Sequence, residues 1–222
     1  MEFFLSLSYK EWIKMRLFVA IVLALSLALL VYIYTDLAHQ ERMEGASLLV
    51  YKFITGYHVL NTFIKLPLIA SLTLALSQFL PEMFNKRLKL TLHLPAHEYD
   101  IIGSMLMFGV LIYAAIMLLT YVALSITLSS FLPTEYVYIE LMAFLLWAVA
   151  GLTVYGFTSA VCIEPTLHNK INIALIGISA TVLSFWAEYV RATYLFPMTV
   201  VLAASGLLMS VYATSRFKRG IM

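Results

Sequence analysis

Lys65 stands inside a long apolar run, and an ionisable side chain at membrane depth is a functional hypothesis by default. His58, Asn61 and Lys65 fall at i, i+3 and i+7, which on a helix is one face. Such a polar stripe can line a translocation path or meet an anionic substrate group; the alternative is that Lys65 snorkels its ammonium to the headgroups. Pro67 follows, and is expected to bend or break the helix at that level. His93 and His97 have the i, i+4 spacing of a helical metal pair, but Pro95 between them opposes a continuous helix. Gly156-Phe157-Thr158-Ser159, with His168 further on, is the nearest approach to an intramembrane serine hydrolase. It lacks that enzyme's glycine-serine spacing, and Gly151, Gly156 and Ser159 read better as small residues that let helices approach closely in lipid. The chain has neither a Gly-x-x-x-x-Gly-Lys-Ser/Thr phosphate cradle nor a His-Glu-x-x-His zinc pair. The expectation is no enzyme by itself, with no catalytic, cofactor or metal residue assigned.

These residues must be positioned by elements whose solvent is lipid. Of 222 residues, 63% are apolar and only 12% charged, with a mean hydropathy of +0.94, against about 45–50% and 25% in ordinary soluble domains. Six apolar runs, at residues 17–35, 54–80, 101–127, 137–162, 171–190 and 195–213, each approach or exceed the roughly 20 residues that cross a bilayer. The runs are continuous and not alternating, which excludes a barrel. The expected fold class is an all-α integral membrane protein, one domain over 1–222 with six transmembrane helices. Over 1–16, Leu5, Tyr9, Trp12 and Ile13 share one helical face and Lys10 and Lys14 another, the pattern of an N-terminal interfacial helix. With the N-terminus inside, the cytoplasmic segments hold Lys10, Lys14, Arg16, Lys86, Arg87, Lys89, Lys170, Arg216, Lys218 and Arg219, and the outer ones Arg42, Lys52 and Arg191. That asymmetry puts both termini in the cytoplasm. A net charge of +2 gives no case for nucleic acid, which needs a dense basic patch. The lone Cys162 permits no internal disulfide.

The longest cytoplasmic piece, residues 81–100, reads PEMFNKRLKLTLHLPAHEYD. An apolar knob of Met83, Phe84, Leu88 and Leu90, flanked by Glu82, Lys86, Arg87 and Lys89, suits the groove of a soluble partner. The same composition also suits a positive-inside loop lying on headgroups. Here the chain resembles the permease subunits of ABC transporters of the type-two exporter class. Those subunits have an interfacial N-terminal helix and six spans with both ends inside; between spans two and three they carry an acidic residue, a basic-leucine stretch and a Leu-Pro. The resemblance covers the topology of the whole chain and, as a motif, residues 82–103. Phe84-Asn85 and Gly103-Ser104 stand where the family often has Gly-Thr and a lysine. The resemblance implies that 81–100 is the coupling connection to a separate ATPase subunit, which would hold ATP and Mg. It implies a second permease copy, a hydrophobic or amphipathic cargo, and a prokaryotic inner membrane. It also makes the first, second and fifth spans candidates for the path, and with them His58, Asn61 and Lys65. The residues alone leave open a second class, an integral membrane scaffold or assembly subunit that transports nothing.

Overall fold

A computed structural model describes residues 2–45, 63–84, 98–189 and 196–218. Among them are six α-helices, one 3-10 turn at Phe63–Lys65, and no strand. The helices are α1 (Glu2–Glu44), α2 (Leu66–Phe84), α3 (Glu98–Ser129), α4 (Thr134–Ile163), α5 (Leu167–Tyr189) and α6 (Phe196–Lys218). Five of them, all but α5, are long and apolar enough to cross a membrane, the arrangement of a multi-pass membrane protein.

Helix boundaries follow from the breakers. Between Glu2 and Glu44 there is neither glycine nor proline, so α1 runs unbroken for 43 residues. The segment expected as a separate interfacial helix over 1–16 forms the first turns of this rod. At about 1.5 Å per residue α1 is about 64 Å long, twice the roughly 30 Å hydrocarbon core. It ends where Gly45 takes φ of 78° and its N–H donates to Glu41 O at 3.0 Å, a left-handed cap that glycine adopts without a Cβ penalty. The described start of α2 is Leu66, so Pro67 lies in its first turn, where a missing N–H is not needed. At this level the run expected as one helix over 54–80 is interrupted, with a 3-10 turn before Leu66 and the α-helix after it; residues 54–62 of that run lie outside the described residues. Helix α2 also passes Pro81 and continues to Phe84. At the other end of the chain, α4 begins after Pro133 and is closed by the Glu164 N–H on Ala160 O; Pro165 has no N–H with which to continue it.

Helix α4 is the hub, packed against α6, α2, α5 and α3, while α1 lies across α3 and α2. Buried apolar residues form two clusters. One joins Met15, Val22, Phe63, Leu74, Ile116 and Phe144, and the other Phe79, Ile102, Met105, Phe157, Ala160 and Ile173. The outer faces are as apolar as the clusters: Leu17, Leu27, Leu118, Ile126, Ile178 and Leu208 are all more than half exposed. In water such faces would aggregate; in lipid they meet their own solvent.

Candidate functional site

Four charged side chains from α1 and α2 meet where α2 ends. Lys14 Nζ donates to Glu11 Oε1 at 2.6 Å and to Glu82 Oε1 at 2.8 Å, and Lys10 Nζ reaches the same Glu82 oxygen at 3.0 Å. The carboxylates are enclosed, with Glu11 0% and Glu82 1% exposed, while the Lys14 side chain is 13% and that of Lys10 39% exposed. Helical spacing brings three of them to one place, since Lys10, Glu11 and Lys14 lie within about one turn. Two lysines against two glutamates make the cluster neutral, the condition under which buried carboxylates are tolerable. It ties the start of α1 to the root of the connection that leaves α2.

Deeper in the bundle a second polar assembly joins α2, α3 and α4. Tyr155 of α4 donates to Gln78 Oε1 of α2 at 2.6 Å, and Gln78 Nε2 donates to Met105 O of α3 at 2.7 Å. Tyr113 of α3 donates to Ala148 O of α4 at 2.8 Å. Each tyrosine occupies the space left by a glycine on the facing helix. A Cβ on Gly109 would meet the Tyr155 hydroxyl, and one on Gly151 would meet that of Tyr113. Since Tyr113 follows Gly109 by four residues and Tyr155 follows Gly151 by four, α3 and α4 present the same Gly-x-x-x-Tyr unit to each other in antiparallel register. Gly109→Ala is expected to cost about 1–3 kcal/mol by overpacking. Paired with Tyr155→Phe, the loss should fall short of the sum by about 1 kcal/mol, since the hydroxyl that the new methyl strikes is gone. Detergent unfolding midpoints of the four proteins measure this, and strict additivity would deny the interlock.

Helices α4 and α6 touch through backbone. A Cβ on Gly156 would lie 2.5 Å from Gly206 C and 2.7 Å from Leu207 N. Beside this contact Ser159 and Ser210 share a hydrogen bond of 2.6 Å, and both hydroxyls reach Gly156 O at 2.7 Å. At the ends of the same two helices Glu164 Oε1 receives Arg216 at 3.3 Å, Thr166 Oγ1 at 2.9 Å and Asn169 Nδ2 at 3.1 Å. The start of α1 and the end of α6 thus lie beside the C-terminal ends of α2 and α4.

The sequence-predicted residues land unevenly in this frame. Glu82 is engaged by both lysines, Met83 packs half-buried against the second apolar cluster, and Phe84 is the last residue of α2. Lys86, Arg87, Leu88, Lys89 and Leu90 lie outside the described residues, as do His58 and Asn61. Lys65 is exposed and closes the 3-10 turn before α2. Ser159 is buried with its hydroxyl committed to Gly156 and Ser210, and His168 stands exposed in the first turn of α5. Gly151, Gly156 and Ser159 sit at close helix contacts, as read from the sequence. Sequence reasoning passed over Glu11, Gln78, Tyr113, Tyr155 and Ser210. The available signals were the matched Gly-x-x-x-Tyr pairs and a carboxylate, Glu11, set between Lys10 and Lys14 at the start of α1. Among the described residues no group of three or more His, Cys, Asp or Glu could hold a metal ion. Compared with known proteins, the chain matches no family model, no curated protein and no solved structure.

Proposed function

We propose that this chain is the membrane-spanning subunit of an ATP-driven exporter, which moves a hydrophobic or amphipathic cargo and leaves ATP and Mg to a separate ATPase subunit. In this reading two permease copies share the ATPases, and both termini face the cytoplasm of a prokaryotic inner membrane. The observation that carries the reading is the anchoring of Glu82 to Lys10 and Lys14. The basic-leucine stretch of residues 86–90 leaves α2 only two residues after Phe84, so a push delivered to that stretch reaches α1 and α2 together. Lys86, Arg87, Leu88, Lys89 and Leu90, with Phe84 at their root, would meet the ATPase, while Glu82 holds the root to the bundle. Transport then requires two arrangements of the bundle with different affinity for the cargo, and alternation of that kind needs helices that move as units.

A mild-detergent pull-down of the tagged chain, read by mass spectrometry, tests the class. Stoichiometric recovery of a soluble ATPase with a phosphate-binding loop is expected, and the double replacement Phe84→Glu, Leu88→Glu should abolish it while membrane insertion persists. Recovery of the chain alone, or with membrane partners only, overturns the exporter in favour of a non-transporting scaffold.

A further inference from the structure

The outward face of α1 carries a pattern that neither the ion cluster nor the transport reading uses. Tyr9, Trp12, Ile13, Arg16 and Leu17 recur at i, i+3, i+4, i+7 and i+8 and all are exposed, while Glu11 and Met15 point into the protein. Further along, Tyr32 and Tyr34 are exposed on the same helix. From Trp12 to Tyr32 is about 30 Å at about 1.5 Å per residue, the thickness of a hydrocarbon core. Every exposed residue from Leu17 to Val31 is Leu, Phe, Ala, Ile or Val. Aromatic residues at both borders of such a band mark the two headgroup levels.

Arg16 lies about one turn inside Trp12, on the lipid side. The carboxylates of α1 and α2 nearest to it in sequence or at this level, Glu11 and Glu82, are taken by Lys14 and Lys10, and among the described residues no carboxylate pairs with Arg16. An unpaired guanidinium cannot stay in hydrocarbon. Its side chain is long enough to climb past Trp12 to the headgroups, where the matching anion is a phosphate, met in the bidentate geometry peculiar to arginine.

We propose that Arg16, between Trp12 and Leu17 and with Tyr9 at the rim, binds the phosphate of an anionic phospholipid in the leaflet around the start of α1. The site recognises a negatively charged headgroup, with the acyl chains lying along the Leu17–Ile21 face. It depends on α1 lying in a bilayer and not on transport, so it stands whether or not an ATPase binds.

Native mass spectrometry of the full chain, released from vesicles of equal phosphatidylglycerol and phosphatidylcholine, reads the site directly. The wild type should retain phosphatidylglycerol in excess. Arg16→Gln should lower the retained ratio about fivefold, the worth of one basic residue at a lipid surface, and Arg16→Lys, which keeps the charge without the bidentate fork, should fall between the two. Added inorganic phosphate should not displace the lipid. Equal retention of the two lipids by the wild type overturns the proposal without reference to any variant. So does an unchanged ratio in Arg16→Gln, and displacement by inorganic phosphate would assign the site to a soluble anion instead.

Discussion

Gly156→Ala is expected to lower the stability of the bundle by about 3 kcal/mol, the upper part of the range for overpacking a close-packed interior. The added methyl would stand 2.5 Å from Gly206 C and 2.7 Å from Leu207 N. These are backbone atoms of α6, which cannot turn aside as a side-chain tip can. Relief requires the two helices to separate, and separation stretches the shared Ser159–Ser210 hydrogen bond of 2.6 Å and both serine contacts to Gly156 O. In lipid there is little hydrophobic force to hold separated helices together, so lost contact and lost hydrogen bonds are lost association. Gly103→Ala is the control, since a Cβ there meets nothing within 4 Å. It is expected to gain about 0.5–1 kcal/mol from helix propensity alone. Unfolding midpoints in one detergent should therefore move in opposite directions for two identical substitutions. A Gly156→Ala protein as stable as the wild type would show that α4 and α6 are not in backbone contact.

Much of the architecture could be read from hydropathy because lipid leaves few choices. The runs over 101–127, 137–162, 171–190 and 195–213 are each contained in, or offset by only a residue from, helices α3 to α6. Backbone polar groups have no partner in hydrocarbon except one another, so an apolar run of that length has to be helical. The departures come where a local rule met tertiary context. The first helix begins fifteen residues before its apolar run, because amphipathic composition changes at Leu17 while nothing in the backbone interrupts the helix. The second helix also departs from its apolar run: Pro67 lies in the first turn of α2, where its missing N–H is not needed, and the connection expected to open at Pro81 begins later, since α2 carries Pro81 inside it and runs to Phe84.

The candidate site was legible in half of each pair. Lys10 and Lys14 could be seen to share a face, and Glu82 to open the connection, but their meeting is a contact across 68 residues of sequence that no spacing rule encodes. The tyrosine interlock was hidden more completely. Gly109 and Gly151 carry no chemistry, Tyr113 and Tyr155 look like ordinary apolar-run aromatics, and only the antiparallel register of α3 and α4 turns two separate Gly-x-x-x-Tyr units into one seam. Hydropathy measures what a residue avoids; these contacts depend on which helix faces which.

Lys14→Met should be the most damaging single replacement at the α1–α2 junction, with an expected loss of about 3–5 kcal/mol, the cost of leaving buried charge without its partner. Lys14 serves two carboxylates at once, Glu11 at 2.6 Å and Glu82 at 2.8 Å, and both are fully enclosed. Without it, Glu11 has no lysine among its described ion-pair contacts, and Glu82 keeps only the more exposed Lys10. Lys10→Met should cost less than about 1 kcal/mol, because that ammonium is 39% exposed and exposed pairs contribute little. Adding Glu11→Gln to Lys14→Met should recover more than half of the loss, since it removes the charge that was stranded, whereas Glu11→Gln in the wild type should destabilise. This reversal of sign separates electrostatics from packing, and unfolding midpoints in a single detergent measure it. If the recovery does not occur, the cluster owes its stability to shape. If it does, the double variant becomes the useful protein for the transport reading. Such a protein is folded with its charge balance intact, yet α1 holds Glu82 only through the more exposed Lys10, so its ATPase partner should bind normally while cargo-stimulated turnover falls. Undiminished turnover would show that a push on the connection reaches the bundle without the Lys14 link between α1 and Glu82.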